Sequence, residues 1–277
     1  MKEKKKVKHE EIMIPKAELF PIVGIGASAG GLAAFESFFS GMANNANPQM
    51  AFVLVQHLDP DHKSILTSLI QRFTKMDVYE VENSMIVKVN CVYIIPPAQN
   101  ISISKGKLQL SKPTTARGHR LPIDFFFQSL ADEAQERAIG IILSGTGSDG
   151  TLGLRAIKSL GGLAIAQKPE SADYDGMPRS AINTGLMDYA LIPSEIFPQL
   201  ISYTSYTAKD SMKIPIAEKQ IEDFLQKIFL LIRIQTGHDF SQYKSGTINR
   251  RIERRMAIKQ MENLEDYAGY LKQNSIE

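Results

Sequence analysis

The chain holds one cysteine in 277 residues, Cys91. One thiol excludes an internal disulfide and fits a reducing, cytoplasmic setting. Its apolar surroundings, "VNCVYII", mark it as a buried structural thiol. No apolar run approaches the roughly 20 residues that span a bilayer, so membrane insertion is not expected. The basic N-terminus "MKEKKKVKHEE" lacks the following apolar segment of about 7–15 residues that a secretory signal needs. Residues 1–18 are therefore read as a solvated, disordered tail. Charge of one sign is also missing. The 32 Lys and Arg nearly cancel the 30 Asp and Glu, and a net charge of +2 gives no global case for nucleic-acid binding. Internal repeats are absent. With a single cysteine, and with His57 and His62 five apart rather than at the i, i+4 spacing of H-E-x-x-H, neither a metal site nor a cofactor is expected.

What is present is a core. The chain is 43% hydrophobic, and from Phe20 short apolar runs alternate with helix-like segments. "PIVGIGAS", "MAFVLVQH", "AIGIILSG" and "LAIAQ" read as strands; "GLAAFESFFSGM", "SILTSLIQRFT", "PIDFFFQSLADEAQE" and "TLGLRAIKSLGG" read as helices. This alternation implies right-handed βαβ crossovers and a mainly parallel α/β sheet. "NISISKGKLQLSK" alternates polar and apolar residues about Lys105–Gly106 and reads as a β-hairpin. Near residue 203 the chain turns polar and unperiodic, so 19–203 is read as one α/β domain and 204–216 as a linker. Residues 217–277 read as a small all-α domain, with Gly237 as a C′ glycine and Asn263 as an N-cap.

Parallel sheets place their sites at the carboxyl ends of the strands. Ser28, His57 and the loop with Asp149 each follow an apolar strand, so all three should project from one edge. Two glycine motifs lie there. Gly26-Ala27-Ser28-Ala29-Gly30 is a G-x-S-x-G, the pattern of a nucleophile elbow. The alternative, a dinucleotide turn, needs G-x-G-x-x-G, and Gly24, Gly26 and Gly30 miss that spacing by one residue. Gly145–Gly150, "GTGSDG", does match it, but in the second half of the fold, whereas dinucleotide fingerprints open their domain. The same loop offers Asp149 as a carboxylate that can orient a histidine. Of five histidines only His57 ends a buried strand; His9, His62, His119 and His238 lie in the tail, near a helix start, in a basic loop and in the helical domain. A serine hydroxyl needs an imidazole to take its proton and a carboxylate to hold the imidazole. Ser28, His57 and Asp149 supply these parts. The order Ser…His…Asp differs from the Ser…Asp…His of lipases and esterases.

Together "GIGASAGG", "VLVQH", "YIIPP", "ILSGTGSDGTLG" and "YDGMPRSAI" resemble the catalytic domain of the chemotaxis protein-glutamate methylesterases, the CheB type. The resemblance implies a Rossmann-like domain with a Ser-His-Asp triad. It implies hydrolysis of glutamate γ-methyl esters, and deamidation of certain glutamines, on the cytoplasmic helices of methylated chemoreceptors. By motif position Ser28 matches the nucleophile, His57 the base and Asp149 the orienting acid. Ala29, Thr146, Gly147 and Met177 match the oxyanion site and the border of the active site. Three positions depart from the family: Ala29 where threonine is common, Gly145-Thr146-Gly147 where Gly-Met-Gly is common, and "LDPDHKS" after His57 where Met-Pro is common. Only about 18 residues precede the first strand, so regulation by an N-terminal receiver domain in cis is not expected.

"DFLQKIFLLIRIQTGHDFSQYKSGTINRRIERRM" and "LEDYAGYL" resemble the N-terminal helical domain of the chemoreceptor methyltransferases, the CheR type. The chain thus resembles the first part of an esterase–transferase fusion ending before the S-adenosylmethionine-binding domain. Arg250, Arg251, Arg254 and Arg255 form like-charged i, i+4 pairs that oppose the helix unless anions are near. They read as a solvated face or as a docking surface for acidic receptor helices. Nucleic acid is disfavoured, since no aromatic residues interleave them for base stacking. A non-catalytic binding or scaffold module stays open as the alternative to an esterase, and oligomeric state is left open.

Overall fold

The computed structural model describes residues 20–42, 47–57, 65–113, 120–209, 218–240 and 245–274. The expected tail at 1–18, residues 210–216 of the expected linker, and His9, His62 and His119 lie outside the described residues. The chain begins β1 (Ile22–Ala27), α1 (Gly31–Ser40), β2 (Ala51–Gln56) and α2 (Leu66–Phe73). Five strands follow: β3 (Asp77–Glu80), β4 (Met85–Ile86), β5 (Cys91–Ile94), β6 (Asn100–Ser104) and β7 (Lys107–Ser111). The alternation resumes with α3 (Pro122–Ala134), β8 (Ala138–Ile142), α4 (Thr151–Ser159), β9 (Leu163–Gln167), α5 (Gly176–Ile182), β10 (Tyr189–Leu191) and α6 (Pro193–Lys209). Helices α7 (Glu218–Thr236), α8 (Ser245–Lys259) and α9 (Leu264–Gln273) complete the chain.

Seven strands form one sheet in the order β10-β9-β8-β1-β2-β5-β3, all neighbours parallel. Both faces are buried, as a parallel sheet requires. Successive residues of β2 therefore point into different cores: Ala51, Val53 and Val55 into one, Phe52 and Leu54 into the other. The first core is closed by α3, α4, α5 and the small antiparallel sheet β4-β7-β6. The second is closed by α1, α2 and α6, with Phe38, Phe39, Phe52 and Phe197 packed ring against ring. The hairpin β6–β7 turns at Lys105–Gly106 as expected, and the Glu133 carboxylate accepts both turn N–H groups at 2.9 and 2.7 Å.

The glycines of β1 answer a packing demand. A Cβ on Gly24 would lie 2.7 Å from Phe127, and one on Gly26 2.5 Å from Ile123, both on α3. Gly24 and Gly26 lie within the strand rather than in a phosphate-binding loop, which removes the dinucleotide reading of the first motif.

The boundary at 203 needs correction. Helix α6 runs on to Lys209, through the first residues of the stretch read as linker. Pro198 and a Ser/Thr/Tyr-rich end hide its period, but Ile196, Phe197, Leu200 and Tyr203 recur on one face and are buried. In the helical module Gly237 takes φ 75° after α7, and the Asn263 side chain accepts the Asp266 N–H, both as expected.

Helix α8 packs on the α/β domain. Its Ala257 and Ile258 belong to the second core, and the Tyr189 hydroxyl donates to the Ile258 carbonyl at 2.7 Å. Asp188, 1% exposed, accepts from Lys158 Nζ at 2.6 Å, from the Ala164 N–H at 2.9 Å and from Arg255 Nη1 at 3.3 Å. Burial holds the Lys158 ammonium below its ordinary pKa, and the Asp188 charge opposes that shift. Removing the carboxylate would leave this cation buried and uncompensated. Asp188→Ala is therefore expected to lower stability by about 3 kcal/mol or more, read as a fall in the urea midpoint. An unchanged midpoint would show that Asp188 does not hold these elements together.

Candidate active site

β1, β2 and β8 are neighbours in the sheet, and Ser28 and His57 directly follow the first two. Ala27 pairs with Gln56, so Ser28 and His57 leave side by side from strands about 4.8 Å apart. Asp149 sits in the loop between β8 and α4. His57 Nε2 lies 2.7 Å from Asp149 Oδ2. The carboxylate is 3% exposed and the imidazole 36%, a buried anchor beneath a reachable ring. Among the described residues no hydrogen bond joins the Ser28 hydroxyl to His57.

Asp149 is held from behind. Its Oδ2 accepts the Ile123 N–H at 3.1 Å and its Oδ1 the Asp124 N–H at 2.9 Å, in the first turn of α3. Each such bond to a charged group is worth about 1.5–3 kcal/mol, and the helix N-terminus favours the anion. The Asp124 carboxylate in turn accepts the Gly153 N–H at 2.7 Å, at the start of α4. Burial pushes Asp124 up to about 6; the Gly153 N–H opposes the rise and the Asp149 charge adds to it. A carboxylate thus already occupies the helix start after "GTGSDG", where a dinucleotide phosphate would sit, so the second glycine motif does not serve that purpose.

The elbow is fixed by Ser144, a residue sequence reasoning passed over. The Ser28 N–H donates to the Ser144 carbonyl at 2.9 Å. The Ser144 hydroxyl donates to the Ala29 carbonyl at 2.8 Å and accepts the Tyr174 N–H at 3.0 Å. Gln167 Oε1 accepts the Ser144 N–H at 2.8 Å. The signals were a Ser and a Gln that end apolar strands, each fully inside the core. The peptide at Ala29 is therefore held by a neighbour's hydroxyl where the family often has a threonine of its own.

The donors divide into engaged and open groups. The Gly145 N–H donates to the Tyr174 carbonyl, and the Met177 N–H donates to the Gly145 carbonyl. Met177 is buried beneath that turn, with its sulfur against Gly145. Among the described residues the N–H groups of Ala29, Thr146 and Gly147 meet no acceptor, and Thr146 and Gly147 are exposed.

On the basic helix, read as a solvated face or a docking surface, two of the four arginines are engaged within the chain. Arg255 pairs with Asp188, and the Arg254 guanidinium lies 5.7 Å from the Tyr203 ring centroid while Nη1 reaches the Glu136 carbonyl. Both are engaged by the α/β domain because α8 packs there. Arg251 is exposed, and the Arg250 side chain lies outside the described residues. No helix among the described residues is long and apolar enough to cross a membrane.

Residues 23–200 match the family model of the CheB methylesterase, and residues 223–277 match that of the CheR methyltransferase all-alpha domain. A 104.1 kDa protein of Rhodobacter capsulatus is 36% identical over 233 residues, 76% of this chain and 24% of its own length. A probable protein-glutamate methylesterase of Borreliella burgdorferi is 33% identical over 67% of this chain and 50% of its own. A protein-glutamate methylesterase/protein-glutamine glutaminase of Burkholderia orbicola is 31% identical over 68% of this chain and 56% of its own. The chain thus spans about half the length, or less, of these relatives. The crystal structure of the Thermotoga maritima CheB methylesterase catalytic domain superposes with a TM-score of 0.60 at 30% identity, covering 66% of this chain and 97% of that domain. By the extent of the family match and the agreement in fold, this chain belongs to the CheB methylesterase family, with a CheR-type helical domain following the α/β domain.

Proposed function

We propose that the chain is a protein-glutamate methylesterase that hydrolyses glutamate γ-methyl esters on the cytoplasmic helices of chemoreceptors and releases methanol. The His57–Asp149 contact of 2.7 Å, beside a serine on the neighbouring strand end, carries this reading. The names of the relatives from Borreliella and Burkholderia support the substrate class. Asp149 accepts a hydrogen bond from the Nε2–H of His57, which leaves the imidazole lone pair on Nδ1, and this nitrogen is the base for Ser28. The imidazole is exposed enough to turn toward the serine as substrate enters.

Ser28 Oγ attacks the ester carbonyl carbon while its proton passes to His57 Nδ1. The open N–H groups of Ala29, Thr146 and Gly147 stabilise the negative oxygen of the tetrahedral intermediate. That intermediate collapses with loss of the methoxy group, which takes the proton from His57 and departs as methanol. Water, deprotonated by His57, then opens the γ-glutamyl ester on Ser28, and the serine recovers its proton. A glutamine side chain fits the same sequence with ammonia as the leaving group, in line with the glutaminase half of the Burkholderia relative's name. Met177 and Ser144 act by holding the turn and the elbow.

Ser28→Ala is expected to reduce methanol release from methylated receptor fragments by at least about 10³-fold. Release near the wild-type rate would remove the mechanism. Gly145→Ala tests the geometry: its Cβ would fall 3.0 Å from Ser28 Cβ and 3.1 Å from Ser28 N, and would collide with the Met177 sulfur. Release is expected to fall about tenfold or more in a folded protein, because sub-ångström displacement of a nucleophile is costly. An unaffected rate would mean that this turn does not position Ser28.

A further inference from the structure

Helices α3 and α4 exchange their N-terminal caps. The residue at each cap position, Leu121 for α3 and Gly150 for α4, makes no side-chain capping bond. The orphan N–H groups at each start go instead to an aspartate of the other strand-to-helix connection. Asp149, one residue before the cap of α4, accepts from Ile123 and Asp124 of α3. Asp124, in the first turn of α3, accepts from Gly153 of α4. The helices touch closely at this point, since a Cβ on Gly153 would lie 3.2 Å from the Asp124 backbone and against Phe127. Among the described residues, Asp149 and, through it, His57 are the titratable groups that face Asp124; α3 and α4 present backbone N–H groups there.

We propose that Asp124 is a positioning residue of the active site: its carboxylate at the start of α4 fixes the loop that carries Asp149, and its charge supports the negative field that Asp149 presents to His57. The proposal rests on the esterase reading above. Catalytic contact stays with Ser28, His57 and Asp149. Asp124 acts through Asp149.

The buried charge, beside a second carboxylate, separates it from an ordinary exposed cap. The folded pKa of Asp124 lies above its unfolded value. Its contribution is therefore fully present below pH about 4 and is lost as pH rises through about 6. An asparagine would keep an acceptor for the Gly153 N–H without burying a charge. The asparagine variant therefore separates the effect of the charge on Asp149 from the effect of the cap on α4.

The test uses the full chain and a fluorophosphonate probe that acylates activated serines, with Ser28 labelling rate read from pH 5 to 9 alongside melting temperature. Asp124→Ala should label about 10- to 100-fold more slowly per folded molecule, since the Asp149 loop loses its anchor. Asp124→Asn should melt at or above the wild-type temperature at pH 8, yet label more slowly, with its acid limb moved to lower pH because His57 loses a supporting negative charge. The proposal is overturned if both variants label at the wild-type rate with an unmoved acid limb, or if the asparagine variant loses activity only in proportion to lost folding. The probe carries no methyl ester, so a wild-type chain that labels at Ser28 but releases no methanol would count against the esterase reading alone.

Discussion

The carboxylate of Asp149 is the point at which fold and chemistry meet. It accepts two N–H groups from the start of α3 and faces the Nε2 of His57, so one residue both finishes a helix and orients a ring. A buried carboxylate survives only where donors surround it, and the α3 N-terminus supplies them. The position of α3 is fixed in turn by β1, whose two glycines let Ile123, Phe126 and Phe127 lie directly on the strand. The glycines before Ser28 therefore serve the His57–Asp149 pair indirectly. They bring close the helix that holds Asp149.

Parallel order gives the rest of the geometry. β8, β1 and β2 lie side by side, and their carboxyl ends deliver Asp149, Ser28 and His57 to one edge without a long-range fit. Ser144 ties the elbow to the turn at Gly145, and Gln167 ties Ser144 to the next strand. The site is tied together by backbone and side-chain hydrogen bonds and has open N–H groups at Ala29, Thr146 and Gly147. Preorganised donors of this kind give an oxyanion its stabilisation without reorganisation at the moment of reaction.

Much of this was legible in the residues. Strand runs, helix starts, the Lys105–Gly106 hairpin and the Asn263 cap follow local rules of period and turn chemistry, and the structure has each of them. Ser28, His57 and Asp149 stood out because each ends or follows an apolar strand. What stayed hidden depends on juxtaposition. Asp124 reads as one more acidic residue in a first helical turn until Gly153 of a later helix is placed beside it. Helix α6 was obscured by Pro198 and by hydroxyl-rich composition, although its apolar face has the right spacing. Arg254 and Arg255 read as a free basic face, and only the packing of α8 against β10 and α6 shows them engaged by Asp188 and Tyr203.

The central claim is that His57, held by Asp149, makes Ser28 a nucleophile. The most direct measurement is fluorophosphonate labelling of the purified chain with mapping of the modified residue, in wild type and in His57→Ala. The account predicts a single adduct on Ser28 and a rate lowered about 10³-fold or more when the imidazole is removed. Labelling at another residue, or a rate at Ser28 that does not depend on His57, would contradict it.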